Sequence, residues 1–485
     1  RQRQMCIRDR HNSQTLEVFC PTKYNQLAVI LKFFNVILLN GGIMIRTLIS
    51  FVSLIILSTS YSVLAKTKVT WSMESNADRD PIMIEKLQNA YNNSQGNYEL
   101  VIEFEDNETR LTSMRTAMIG GMGPDIVETP GPSYVKEYHA AGMLENLDSY
   151  AAEFGWKDKM IPWAYSSGVF EGSLYAIPKT HESMVMLYNK SLFEENNWKV
   201  PTTLEELEDV AGKIKAKGMN VFSYGSDGWQ PTHEHLVGIY LNNYAGPQAV
   251  YEAIIGEREW TDPVFVEALE LLKKHMVDEG YWSGSLENYY AIGWDDFHAQ
   301  FADRGAAMMT IGTWTFQATQ LGIGASDDEW GWAPLPSLSS QSPDPNFMIA
   351  IGTTMSVNAN GKNKDGAIDV LNWIMSNKDK VLDIAKDFQF GEMVVPLTLS
   401  SSDIPTDIAP QVQDYLSEYA RITGEGNYGY CTWTFWPADP GVHIWKDMEV
   451  VWAGDISVED FLYDHQKMWD KARKNGDTLP VPLRN

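Results

Sequence analysis

The stretch Tyr175-Ala176-Ile177-Pro178-Lys179-Thr180-His181-Glu182-Ser183-Met184-Val185-Met186-Leu187-Tyr188-Asn189-Lys190 constrains the fold of this chain more than any other. Met184 to Tyr188 is an unbroken apolar run of the length expected for a strand buried on both faces. Pro178 steers the residue before it away from helix, so the preceding segment is extended. An extended crossing, a polar corner at His181-Glu182-Ser183 and a buried strand therefore follow one another. Two architectures satisfy this: one α/β domain turning a corner, or a strand passing between two domains.

The flanking pattern alternates strands with helices. Lys68 to Met73, Leu100 to Glu105, Asp125 to Glu128, Val221 to Tyr224 and Ala306 to Ile311 read as strands, and Ile349 to Val357 as one extended apolar run. Helical spacing is expected around 82–91, 204–214, 263–278, 294–302, 365–376, 441–452 and 458–474, with Thr203 and Glu206 forming a capping box and Ser457 capping the last helix. Such alternation implies mainly parallel sheets flanked by helices, with ligands beyond the carboxyl ends of strands. Glu74, Asn76, Glu128 and Thr129 occupy those positions.

A chain of 485 residues is too long for one hydrophobic core, and two domains are expected. Met44-Ile45-Arg46, the apolar run Thr47 to Leu57 and Val63-Leu64-Ala65 form the three parts of a secretory signal, so 44–65 is expected to be a signal peptide. The segment 1–43 carries no usable periodicity and is expected to be an upstream artefact. Beyond residue 65 there are 31 basic and 62 acidic residues, a net charge of −31. That balance excludes nucleic acid and anionic membrane as partners and disfavours phosphorylated ligands. Cys431 is the one cysteine beyond residue 65, so neither a disulfide nor a cysteine-based metal cluster is expected. No cysteine stands at the expected cleavage point, which favours a freely diffusing periplasmic monomer over a lipid-anchored one.

Several motifs, taken in order, resemble those of the carbohydrate-type extracellular solute-binding proteins of ABC importers, the family of the maltose-binding protein. They are Gly123-Pro124-Asp125-Ile126-Val127, Ala141-Gly142-Met143-Leu144-Glu145-Asn146-Leu147-Asp148, Tyr175-Ala176-Ile177-Pro178 with Leu187-Tyr188-Asn189-Lys190-Ser191-Leu192-Phe193, Pro201 to Leu207, Gly305-Ala306-Ala307-Met308, Pro334-Leu335-Pro336 and Gly454-Asp455-Ile456-Ser457. The resemblance implies a two-lobe α/β binding protein that closes on a sugar and docks on an ABC permease, with no cofactor and no catalysis. It assigns 66–178 and 355–394 to the first lobe and 183–348 and 398–485 to the second. Ile177, Pro178, Ile351 and Pro396 then fall at the hinge, with His181 and Glu182 facing the cleft.

A sugar presents polar edges and apolar CH faces, so its site needs flat aromatic rings and a few fixed hydrogen-bonding groups. All 17 tryptophans lie beyond residue 65. Trp229 (with Gln230 beside it), Trp314, Trp433 and Trp436 stand in Gly- or Pro-containing breaks and are the candidate platforms, whereas Trp71, Trp373 and Trp445 sit in strand or helix patterns. Glu74, Asn76, Glu128, Thr129, His181 and Glu182 are the candidate polar partners. His233-Glu234-His235 lacks the spacing of a helical zinc site, so no metal is expected. The acidity and the aromatics together suggest a neutral oligosaccharide. Two alternatives are a secreted hydrolase or lyase using Glu74 and Glu128, and a binding protein for a cation such as a polyamine.

Overall fold

The computed structural model describes residues 66–484. The expected signal peptide and the segment before it lie outside the described residues. Two sheets organise the rest. The first has the order β2-β1-β3-β12-β6, built from β1 (Thr67–Glu74), β2 (Tyr98–Glu105), β3 (Ile126–Thr129), β6 (Ile177–Pro178) and β12 (Thr354–Val357). The second has the order β13-β11-β7-β9-β8, from β7 (His181–Asn189), β8 (Asn220–Phe222), β9 (Ala306–Gly312), β11 (Met348–Ile351) and β13 (Gly429–Tyr430), with β10 (Trp330–Ala333) also paired to β7. A hairpin of β4 (Val169–Phe170) and β5 (Ser173–Leu174) stands apart.

The first sheet keeps the parallel core that the βα alternation implies, since β1 pairs parallel with β2 and β3. β12, which returns from the other sheet, pairs antiparallel with β3, and β6, from which the chain leaves for the other sheet, pairs antiparallel with β12 at the edge. In the second sheet the long strand β7 runs antiparallel to β9, β10 and β11. Met184 to Leu187 are fully buried at its centre, as an apolar run covered on both faces should be. Each sheet carries its own core. Val69, Trp71, Leu100, Ile126, Met355 and Leu371 pack around the first, and Met186, Phe222, Trp282, Met308 and Phe347 around the second. The molecule is thus a two-lobe α/β protein.

Helices form where the spacing placed them. Lys364–Ser376, Ala438–Ala453 and Val458–Asn475 are helical, the last capped by Ser457, whose hydroxyl accepts from Asp460 N at 3.0 Å. Thr203 caps the Leu204–Ala216 helix, but the capping box is displaced: Glu206 accepts from the backbone N of Thr202, one residue outside the cap.

Two expectations are corrected. The run Ile349 to Val357 is two strands, because the chain leaves the second sheet after Ile351 and enters the first at Thr354. Both halves are buried strands, so hydropathy stays continuous across the change. The supposed polar corner His181-Glu182-Ser183 is already strand, paired with Ile351, Ala350 and Ile349. The turn between sheets is Lys179-Thr180.

The two crossings are tied to each other. Lys179 N donates to Thr353 O (2.8 Å), Thr353 N to Thr180 Oγ1 (2.9 Å) and Gly352 N to Thr180 O (3.2 Å). A third connection runs alongside: His181 N donates to Val394 O (3.1 Å), and Ile161 N to Pro396 O (2.9 Å). Here Gln389, Phe390 and Met393 adopt φ of +49°, +57° and +52°. Left-handed backbone at non-glycine residues carries strain.

Candidate functional site

An aromatic corner forms where the lobes meet. β9 ends at Gly312, and the single turn that follows presents Trp314 half-buried. Trp433 is half-buried on the short helix Thr432–Phe435, and His235 lies in the first turn of the Thr232–Tyr240 helix. Their rings cluster, with centroids 4.8 Å apart for His235–Trp433, 5.4 Å for His235–Trp314 and 5.8 Å for the edge-on Trp314–Trp433 pair. The first lobe reaches this corner through Pro130-Gly131-Pro132. Gly131 has φ +88°, and a methyl group there would lie 3.0 Å from the Trp433 carbonyl oxygen. Glycine is required by both the conformation and the approach.

Glu234 sits beside this corner, 8% exposed. Its Oε2 accepts from Thr432 Oγ1 at 2.8 Å, and burial pushes its carboxyl up to about 8. Burial also raises Tyr134, on the helix that follows Gly131, with the Glu234 charge adding to it. The two histidines flanking Glu234 serve different ends. His235 shares a hydrogen bond with the Tyr224 hydroxyl, and burial lowers its pKa to about 3. His233 donates from Nδ1 to Trp445 O (2.8 Å), away from the corner. Among the described residues, no group of three or more His, Cys, Asp or Glu is arranged to hold a metal ion.

A charged cluster occupies the crossings. Lys179, almost completely buried, lies 2.9 Å from Glu128 Oε2 and 3.5 Å from Glu392 Oε2. Arg79 pairs with Glu392 Oε1 at 2.8 Å and also donates to the Glu74 carbonyl. Arg110 donates to the Glu128 carbonyl at 2.8 Å. Burial opposes ionisation of Glu392, yet Lys179 and Arg79 hold its pKa below the ordinary carboxylate range. The balance is reversed at two neighbours. Burial raises Glu74 against the pull of Arg79, and burial, with the Glu392 charge, raises Glu182 to about 8.

The expected site residues thus separate into groups. Trp314 and Trp433 share the corner, and Glu74 and Glu182 share the charged cluster. His181 stacks on Tyr419 at 5.1 Å, and burial lowers its pKa to about 4. Glu128 is 2% exposed, its Oε2 taken by Lys179 and by Trp71 Nε1 (3.2 Å), so it braces the crossing. Thr129 is buried against the Thr354 hydroxyl at 2.7 Å. Asn76 is exposed, and its Oδ1 caps the next turn by accepting from Asp78 N and Arg79 N. Trp229 is half-buried in a turn of the second lobe, and Gln230 donates to Glu449 there (2.7 Å). Trp436 is core: it is 1% exposed and packs on Trp260 and Trp469 with centroids 5.1 and 5.6 Å away. Pro437 beside it suggests a loop, but the proline is the N-cap of the Ala438–Ala453 helix, and the indole is tucked beneath.

Of the hinge candidates, Ile177 and Pro178 form β6, and Ile351 ends β11, its backbone N donating to Thr434 Oγ1 at 3.0 Å. Pro396 is held by the Ile161 bond described above. Tyr134, Glu234, Arg79, Lys179 and Glu392 were not singled out by sequence reasoning. Only the Pro130-Gly131-Pro132 break and the position of Glu234 between two histidines offered a local signal.

Comparison with known proteins agrees with the architecture. The model of the family described as bacterial extracellular solute-binding protein matches residues 75–381. The maltotriose-binding protein of Pyrococcus abyssi is 24% identical over 300 residues, covering 60% of this chain and 59% of its own length. The diacetylchitobiose binding protein NgcE of Streptomyces coelicolor is 22% identical over 307 residues, covering 61% and 62%. The chain therefore spans about three fifths of the length of these relatives. Among solved structures, a chitin oligosaccharide binding protein superposes with a TM-score of 0.68 at 22% identity, covering 84% of this chain and 99% of that one. Maltose-bound MalE3 of T. maritima gives 0.65 at 17% identity, covering 84% and 99%. With its two lobes, paired crossings and aromatic junction, the chain belongs to the bacterial extracellular solute-binding protein family.

Proposed function

We propose that this protein is the substrate-binding component of an ABC importer, taking a sugar or oligosaccharide between its lobes and delivering it to a membrane permease. It would work outside the inner membrane, as a monomer, without cofactor. The observation that carries this reading is the Trp314–Trp433–His235 corner, approached from the other lobe by Gly131. Half-buried indoles offer flat apolar faces to sugar CH groups, and Glu234 beside them offers a hydrogen-bonding group. Maltotriose and diacetylchitobiose, named for the two relatives, are both oligosaccharides. Binding energy would be spent on favouring the closed arrangement over an open one. The lobes would divide at Lys179-Thr180, Gly352-Thr353 and the strained segment 389–394, with Ile177, Pro178, Ile351 and Pro396 flanking the moving joints.

The acidity of the crossings argues against sugar phosphates and uronic acids. It does not favour hydrolysis either, because Glu128 is sealed by Lys179 and Trp71 and cannot flank a scissile bond with Glu74. Calorimetry of the purified protein against a panel of oligosaccharides tests the proposal. Saturable heat with a rise in melting temperature is expected. Absence of both across the panel overturns it.

A further inference from the structure

The segment 476–484, which follows the Val458–Asn475 helix, ties the lobes together at a point apart from the crossings. It starts on the second lobe, where Phe461, Leu462 and Trp469 of that helix join the second core. Gly476 ends the helix in the left-handed conformation (φ +76°), and its carbonyl accepts from Lys136 Nζ at 2.8 Å. A cation is well placed at the carboxyl end of a helix, where the last carbonyls carry partial negative charge. Here the cation comes from the other lobe, since Lys136 lies on the Pro132–Ala140 helix that follows Gly131. Asp477 and Thr478 are exposed, and then Leu479 is buried among Met114, Met118, Val127, Val135, Tyr138 and Leu144, all of the first lobe. The chain returns at once. Val481 packs on the second core, the Tyr430 hydroxyl donates to Pro482 O at 3.5 Å, and Arg484 donates to Tyr428 O. The Arg484 guanidinium also lies 5.7 and 5.8 Å from the Tyr428 and Tyr430 rings.

The local sequence suits such a tie. Pro480 and Pro482 fix φ at alternate positions and keep the residues before them extended, so Leu479 and Val481 are presented by a stiff stretch of chain. Both ends of the stretch are anchored on the second lobe, and the leucine between them is buried in the first. Burial of that leucine stabilises only an arrangement in which the lobes are together. They are together here, since a methyl group on Gly131 would lie 3.0 Å from the Trp433 carbonyl oxygen. We propose that 476–484 is a strap that latches the lobes closed in the absence of ligand, and that Leu479 must leave its seat in the first lobe for the cleft to open. Opening then exposes the leucine as well as parting the lobes. The strap thereby biases the equilibrium toward the closed arrangement by an amount that a ligand does not have to supply.

The test is small-angle scattering and inter-label distance measurement on the ligand-free full chain. Nitroxides are carried on Thr112→Cys in the first lobe and Asp296→Cys in the second, both exposed positions. With the strap intact, a compact particle with one short distance population is expected. Leu479→Asp sets a carboxylate among apolar side chains, where its charge is unfavourable, so the strap should detach. The ratio of closed to open chains should then fall about tenfold or more, read as a larger radius of gyration and a second, longer distance. Should that variant not fold, Lys136→Ala combined with Arg484→Ala loosens both ends of the strap while leaving Leu479 in place, and is expected to shift the distances in the same direction by a smaller amount. An unchanged distance distribution in variants that melt cooperatively, or an intact chain already spread over long distances, overturns the inference. No sugar enters the measurement, so either result leaves the sugar-binding reading standing.

Discussion

Glu182 Oε1 occupies the space that a side chain on Gly352 would need, 1.7 Å from where a methyl group would sit. Glu182 lies in β7 just beyond the Lys179-Thr180 crossing and Gly352 lies in the other crossing, so the carboxyl fills space between the two. Gly352→Ala must therefore push the carboxyl aside or part the crossings. Overpacking of this kind costs about 1–3 kcal/mol. Urea unfolding should show that loss for Gly352→Ala. The double variant with Glu182→Ala should lose less than the sum of the two single changes. Additive losses would mean that the residues do not share the space.

Lys179 is the cation on which the crossing depends. With Lys179→Met, the buried Glu128 carboxylate keeps the Trp71 indole as its one side-chain donor among the described residues, and Glu392 keeps Arg79. Removing one partner of a buried pair costs about 3–5 kcal/mol, mostly for the charge left behind. Glu128→Gln in the same chain removes that charge and can still accept from Trp71. The double variant is expected to recover much of the lost stability in urea titrations. A double variant as unstable as Lys179→Met alone would assign the loss to packing of the lysine stem.

What could be read from the sequence was whatever is local. Met184 to Tyr188 announces a central strand, Ala306 to Ile311 another, and Ser457 a helix start, because burial on both faces and capping leave marks within a few residues. The sheet change inside Ile349 to Val357 left none, since both halves are equally buried. Arg79 and Glu392 are separated by 313 positions, and no spacing rule connects an exposed-looking arginine after a strand with a glutamate after a glycine. At the site, the sequence could point to tryptophans in chain breaks but could not say which way each indole turns. That depends on what packs behind it.

Acid should weaken the fold through its buried histidines. His465 is 2% exposed, neither ring nitrogen has a hydrogen-bond partner among the described residues, and Trp260, His443 and Trp469 surround it at 5.4, 5.6 and 5.8 Å. Burial holds its pKa well below the ordinary 6.5, and the neighbouring His443 adds to the effect. Below pH 6.5 the unfolded chain takes up a proton that the folded one refuses, so stability falls as pH drops. His233, His235, His275 and His298 are lowered by burial in the same sense. Glu182 and Glu234 act oppositely: their pKa is raised, so they favour the folded state at low pH and withdraw that support between about 4.5 and 8. His465→Leu should flatten the acid side of the stability profile by up to about 1.4 kcal/mol per pH unit. Urea midpoints measured above and below pH 6.5 check this, and an unchanged slope would show that the histidine is protonated in the folded chain.

Trp433 and Trp436 provide the sharpest contrast, because three positions separate a proposed ligand surface from a piece of core. Trp433 is half-buried at the lobe junction against His235 and Trp314, while Trp436 is closed in by Trp260 and Trp469. Trp436→Ala opens a cavity the size of an indole and should cost about 3–5 kcal/mol in urea unfolding. The molecules that remain folded should keep their affinity for sugar. Trp433→Ala removes a half-buried ring, so its cost to stability should be far smaller and its cost to binding about tenfold or more. Calorimetry and unfolding performed on both variants separate the roles. If Trp433→Ala unfolds readily yet binds as the parent does, the aromatic corner is packing between the lobes and the ligand lies elsewhere in the junction.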